Sequence, residues 1–210
     1  MKRNQSGFTL IEIAIVLVII GLLLGGVLKG QELITSAKVK NLATDFKNAP
    51  VLMYGYQDKF KAMPGDDLNA VSHVGTAQAT TPGTVGNGVI DGLWNSTTAT
   101  DESFKFWEQV RKAGLAADGT GLPVNAVGGS MGVTGSNSAY IPISGVPGTF
   151  FVCANNIPTK IALQLDATLD DGNTSTGSVR AVANGAAAGT PAVSLDASSA
   201  DALYTVCQGS

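Results

Sequence analysis

Few side chains in this 210-residue chain are candidates for chemistry. Glu12 comes first, because it stands at the start of an apolar run that is otherwise uncharged from Phe8 through Leu28. An acidic residue at the centre of a membrane helix costs about 2.5–3.5 kcal/mol, and less near an end. Something must therefore neutralise Glu12. The two cysteines, Cys153 and Cys207, lack the C-x-x-C spacing of a metal or redox site. In an oxidising compartment they suit one disulfide, which would close a loop of about 55 residues and contribute roughly 4 kcal/mol in the chain-entropy model. Two buried thiols are the alternative. His73 is the only histidine and lies in a Gly/Thr/Ala-rich stretch, and no Gly-x-Ser-x-Gly nucleophile elbow is expected. The Gly-rich stretches lack a P-loop lysine, and Asp66-Asp67 reads as a turn. Asp166, Asp170, Asp171 and Asn173 supply enough oxygens to raise calcium, but their spacing departs from the EF-hand pattern. A polar helix end followed by a turn explains them better. No catalytic residues, metal or cofactor are expected.

The elements that position Glu12 are legible in the same run. From Phe8 to Leu28 the apolar segment is long enough to cross a bilayer, since about 20 helical residues match a hydrocarbon core of about 30 Å. Two simpler explanations compete. A secretory signal peptide has an apolar region of about 7–15 residues ending at small residues, whereas this run is longer, opens on a charge and is followed by the poor cleavage site Thr35-Ser36-Ala37. An ordinary single-pass anchor accounts for the hydrophobicity and leaves Glu12 unexplained. Lys2 and Arg3 precede the span, which keeps the N-terminus cytoplasmic and exports the bulk of the chain.

Behind the short basic leader, Gly7-Phe8-Thr9-Leu10-Ile11-Glu12 resembles the start of a type IV pilin or related pseudopilin. The resemblance is specific over residues 1–40 and architectural beyond them. It implies that a prepilin peptidase cuts after Gly7 and that the new amino terminus is N-methylated at Phe8. The resulting ammonium lies one helical turn from Glu12. In the family reading, the carboxylate of one subunit faces the Phe8 ammonium of the next, so that two costly charges become one neutral pair that also selects register. The proline usual in the upper membrane helix of the family is missing, while Gly21, Gly25, Gly26 and Gly30 permit close backbone approach between neighbours.

Three segments follow: a leader over residues 1–7, an N-terminal helix over 8–60 with 8–28 as membrane span and filament core, and an exported head over 61–210. The last is an ordinary size for one core. Residues 29–61 carry six lysines against three acidic side chains, a net of +3, whereas residues 62–210 carry five basic against twelve acidic side chains, a net of −7. An acidic head argues against broad nucleic-acid binding. Leu42, Phe46, Ala49, Met53, Tyr56 and Phe60 recur at helical spacing and form a stripe that packs the head on the helix. Pro50 falls inside this stripe and predicts a kink or boundary.

In the head, Met63-Pro64-Gly65-Asp66-Asp67 ends the long helix, and a connecting region runs over 72–100. Asp101 is expected to cap a short helix with Phe104, Trp107 and Val110 on one face and Gly114 as its stop. These aromatics are expected in the core rather than stacked on an exposed glycan. Strands are predicted at Ala139–Ser144, Thr149–Cys153, Ser178–Val182 and Tyr204–Cys207, with a turn at Pro147-Gly148. A helix carrying Ile161, Leu165 and Leu169 lies between the second and third. The expected fold is therefore α+β: a pilin-like long helix packed on a small antiparallel sheet, with a C-terminal region bounded by Cys153 and Cys207. By the resemblance, that region is the exposed variable one.

The expected function is that of a structural subunit of a type IV pilus-like filament, not an enzyme. Its partners would be copies of itself, other pilins, prepilin peptidase, an inner-membrane assembly platform and the inner membrane. It would sit in that membrane as a precursor and then in a surface pilus or a periplasmic pseudopilus. Two alternatives stand beside this: a type II secretion pseudopilin working in protein secretion, and a minor pilin or tip adhesin whose head binds a surface or glycan in cell adhesion.

Overall fold

The computed structural model describes residues 9–137, 139–196, 198–199 and 201–210. Two compact units divide after Ala37. The first contains the start of helix α1, Leu10–Phe60, which is the one described helix long and apolar enough to cross a membrane. From Ile13 to Leu28 the helix is apolar on every side.

The second unit, Lys38–Ser210, begins with the remainder of α1. Here the expected stripe is realised: Leu42, Phe46, Ala49, Met53 and Tyr56 are buried, joined by Val39 and Ala43, while Phe60 is partly buried. The helix runs unbroken through Pro50, so the expected boundary does not fall there. Pro50 removes one amide donor, but buried Phe46, Ala49 and Met53 on either side hold the segment to the core. Phe60 is the last helical residue, and Lys61 follows with a left-handed φ of 55°.

Short helix α2, Ala70–Val74, is followed by an irregular stretch and by α3, Glu102–Lys112. Asp101 occupies the N-cap position of α3, but its side chain does not cap the helix. Its carboxylate instead accepts hydrogen bonds from Thr81 Oγ1 (2.7 Å) and Ser96 Oγ (2.6 Å), tying the preceding loop to the helix start.

Strands β1, Met131–Gly135, β3, Phe150–Pro158, β4, Val179–Ala183, and β6, Leu203–Gly209, form an antiparallel sheet in the order β1-β3-β6-β4. Between β3 and β4 lies α4, Thr159–Leu169, the helix expected from Ile161, Leu165 and Leu169. The first expected strand, Ala139–Ser144, shrinks to β2, Ile143–Ser144, which pairs in parallel with β5, Thr190–Pro191, instead of forming a hairpin with β3. The partner of β3 on that side is β1, whose Met-Gly-Val-Thr-Gly sequence is a weak strand signal because glycine packs no side chain. Gly132 is nevertheless required there, since a Cβ would overlap the Trp94 carbonyl oxygen.

The sheet has two apolar faces. Val133, Val152, Ala154, Ala181 and Val206 face a main core shared with α1, α3 and α4. Alternate residues Phe151, Cys153, Val182 and Cys207 turn to the other face and pack with Trp94, Ile143 and Val146 in a second, smaller cluster.

Candidate functional site

Glu12 lies in the first turn of α1, and Thr9 immediately precedes the helix. The Glu12 N–H donates to Thr9 Oγ1 at 3.3 Å, while the Thr9 N–H and hydroxyl both donate to Glu12 Oε2 at 2.8 Å. This is a capping box, in which the N-cap hydroxyl and the third helical residue satisfy each other's backbone amides. The carboxylate also sits where the helix dipole favours negative charge. The Thr-x-x-Glu spacing was available in the sequence, yet a reading centred on the cost of an apolar-phase carboxylate passes over it. Gly7 and Phe8, the expected cleavage and methylation positions, lie outside the described residues.

Beyond this cap no polar side chain follows until the exposed Lys29–Glu32 ion pair. From Leu10 to Leu28 every large apolar side chain is between 46 % and 91 % exposed, so no face is covered within the chain. A helix that is apolar all round requires lipid or other helices around it. The four glycines at 21, 25, 26 and 30 have open space where a Cβ would point, which leaves their backbone accessible to a neighbour.

In the second unit Cys153 and Cys207 are joined by a disulfide. They are directly paired residues on the central strands β3 and β6, with Cα atoms 4.1 Å apart. Asp66 and Asp67 are turn residues, as expected, but both are buried and each organises a loop. Asp66 accepts the Gly86, Asn87 and Gly88 N–H groups, the last at 2.7 Å. Asp67 Oδ2 accepts the Tyr56 hydroxyl at 2.7 Å and lies 2.7 Å from His73 Nδ1, so the lone histidine anchors α2 to the long helix. Phe60 lies between Tyr56, whose ring is tilted to it at a centroid distance of 4.6 Å, and His73, which stacks on it at 5.1 Å.

The acidic group in the last turn of α4 and the loop after it is locally satisfied except at Asp166. Asp170 Oδ2 accepts the Ser178 N–H at 2.6 Å, and Asp171 accepts the Asn173 N–H and Thr176 hydroxyl at 2.8 Å each. Asp166 is fully buried, and neither carboxylate oxygen reaches hydrogen-bonding geometry. Burial pushes its pKa up to about 6, although the nearby Gly172 and Asn173 N–H groups temper the rise. Among the described residues, no three His, Cys, Asp or Glu side chains are arranged to hold a metal ion.

Sequence reasoning missed Glu102. It is fully buried at the start of α3, where Oε2 accepts the Asp91 N–H at 2.7 Å and Oε1 has no partner. Burial, reinforced by the charges of Asp66, Asp91 and Asp101, pushes its pKa up to about 8. Trp107 belongs to the main core, as expected, while Phe104 is only half-buried and Phe106 takes the fully buried place.

The letters Gly128-Gly129-Ser130-Met131-Gly132 do fit Gly-x-Ser-x-Gly, but they lead from a turn into strand β1, whereas a nucleophile elbow joins a strand to a helix. Ser130 is tied through its backbone to Asn155, and His73 is engaged by Asp67.

No curated protein and no solved structure matches the chain. Residues 2–28, which include Glu12 and the whole apolar run from Phe8 to Leu28, match the prokaryotic N-terminal methylation motif, typical of type IV pilins and pseudopilins.

Proposed function

We propose that this protein is a structural subunit of a type IV pilus-like filament. It is made as an inner-membrane precursor with its head exported, cleaved by prepilin peptidase after Gly7, N-methylated at Phe8 and polymerised through its apolar helix. The single observation that carries this reading is the methylation motif, with Glu12 at the head of an apolar helical run, residues 10–28, no face of which is covered within the chain.

The assembly chemistry follows from charge. In the precursor the Glu12 carboxylate is held by Thr9, which lowers the cost of keeping it in an apolar phase. Cleavage at Gly7 creates an ammonium at Phe8, and that ammonium also needs a counter-charge. A neighbouring subunit staggered along the membrane brings its Glu12 to this amine. Separating the pair again would leave two uncompensated charges in an apolar medium. Packing of apolar helices supplies the contact area, and the four glycines let backbones approach. The segments would act as a leader at 1–7, a membrane span and filament core at 8–28, and an exported head from 61 onward.

Mass spectrometry of the mature N-terminus together with electron microscopy of sheared surface material tests the reading. The expected result is a chain starting at N-methyl-Phe8 and filaments that disappear in Glu12→Ala. A mature chain that still starts at Met1, or an undiminished filament yield in Glu12→Ala, would overturn it.

A further inference from the structure

The sheet face that carries the disulfide ends in a recess of about 320 Å³. Its walls come from Trp94 and Asn95 before α3, Asn155 on β3, Asn184 after β4, Thr205 on β6 and the loop around Ala187. Every lining residue is uncharged.

The recess is built by an irregularity. The β3–β6 register shifts between Ala154 and Ile157, a bulge that sets Asn155 and Asn156 opposite the single residue Thr205. Asn156 adopts φ 58°, a left-handed conformation that asparagine takes up more readily than other non-glycine residues. The Asn184 carboxamide holds it there, donating to Asn156 Oδ1 at 2.7 Å and accepting the Thr205 hydroxyl at 3.2 Å. Asn155 is fixed through Oδ1, which accepts the Ser130 N–H at 2.7 Å. Its Nδ2 group, the Trp94 indole N–H and the whole Asn95 carboxamide have no hydrogen-bond partner among the described residues.

A pocket of this kind presents uncharged polar groups, with the Trp94, Asn95 and Asn155 donors unpaired, beside an aromatic wall, with nothing to balance a charged ligand. From this we infer that the recess beside Trp94 binds a neutral saccharide unit, whose hydroxyl or acetamido oxygens accept from Trp94, Asn95 and Asn155. The exported placement of the head proposed above gives such a ligand access, and the inference rests on that reading in this respect alone. The recess lies on the sheet face opposite the main core formed with α1, so seating a sugar leaves that core untouched.

The test uses the full chain in dodecylphosphocholine, a detergent without a sugar headgroup. Tryptophan fluorescence and saturation-transfer NMR are recorded against the methyl glycosides of glucose, galactose, mannose and N-acetylglucosamine, with N-acetyl-trialanine amide as a neutral peptide control. At least one glycoside should bind saturably with a Kd below about 10 mM, a weak affinity suited to a single small ligand. Asn95→Ala, which removes an exposed side chain with no internal bonds, should weaken that binding about five-fold, in line with the loss of one hydrogen bond. Ala187→Leu, which fills the recess from its loop, should abolish it at unchanged Tm. Absence of saturation with all four glycosides, undiminished binding in both variants, or equally tight binding of the peptide would each overturn the inference. Binding is read on the purified chain, so its outcome is independent of whether the protein polymerises.

Discussion

Thr9 and Glu12 close a reciprocal pair at the start of α1, with both Thr9 donors on the same carboxylate oxygen at 2.8 Å. Glu12 therefore has a partner before any proteolysis takes place. If assembly hands this carboxylate to a neighbour's ammonium, the cap is the competing state. Thr9→Ala should remove about 1 kcal/mol of helix-end stabilisation and fray the first turn, visible as faster amide exchange at Glu12 and Ile13. Thr9→Ser should restore protection, whereas a Thr9→Ala chain that exchanges like wild type would show that the cap is unimportant.

The disulfide joins residues that the sheet already pairs, so its contribution is expected chiefly through the unfolded chain. Closing a separation of 54 residues corresponds to about 4 kcal/mol in the chain-entropy model. Replacing both Cys153 and Cys207 by Ala should lower Tm by about 10 °C for a unit of this size, with the far-ultraviolet spectrum retained. A shift of only a degree or two would mean that the unfolded state is already compact.

Glu102 makes the stability of the head depend on pH. Its folded pKa, about 8, lies above the ordinary 4.5 because burial favours the protonated form. The associated stability is complete below about 4.5 and is lost as pH rises through about 8. Asp166, raised from 3.8 to about 6, acts in the same direction over a lower window. Tm should therefore fall between pH 5 and 9, values that bracket these two transitions. In Glu102→Gln the upper part of that slope should vanish, since the amide oxygen still accepts the Asp91 N–H. Persistence of the full slope in this variant would exclude Glu102 as its source.

Tyr56 is fully buried and donates to Asp67, itself buried. Tyr56→Phe keeps the ring against Phe60 and deletes only the hydroxyl, so denaturant unfolding should report a loss of about 1.5–3 kcal/mol, typical of a hydrogen bond to a charged group. His73→Ala should cost less, because His73 is partly exposed and Asp67 keeps the Tyr56 hydroxyl and the Asn69 N–H. The reverse order would place the main anchor of the turn on His73.

What the sequence determined by itself lies mainly along single helices. An apolar run of span length, a lone carboxylate at its start and the stripe Leu42 to Tyr56 are periodic local signals, and one helix suffices to realise them. The α4 helix and the turn at Asp66-Asp67 were legible for the same reason. Strand pairing was decided only by tertiary structure, because it joins residues far apart in the chain. Gly-rich β1 is a strand since it fits between Trp94 and β3, and Ala139–Ser144 loses most of its strand character once β1 takes the edge beside β3. The same distinction covers the polar groups. Thr9 and Glu12 meet within one turn, so their spacing is readable, whereas Glu102 loses its water, and Asn156 and Asn184 meet at the bulge, only when segments separated by tens of residues pack together. Local spacing encodes which groups share a helix turn, but burial and long-range register exist only in the folded chain.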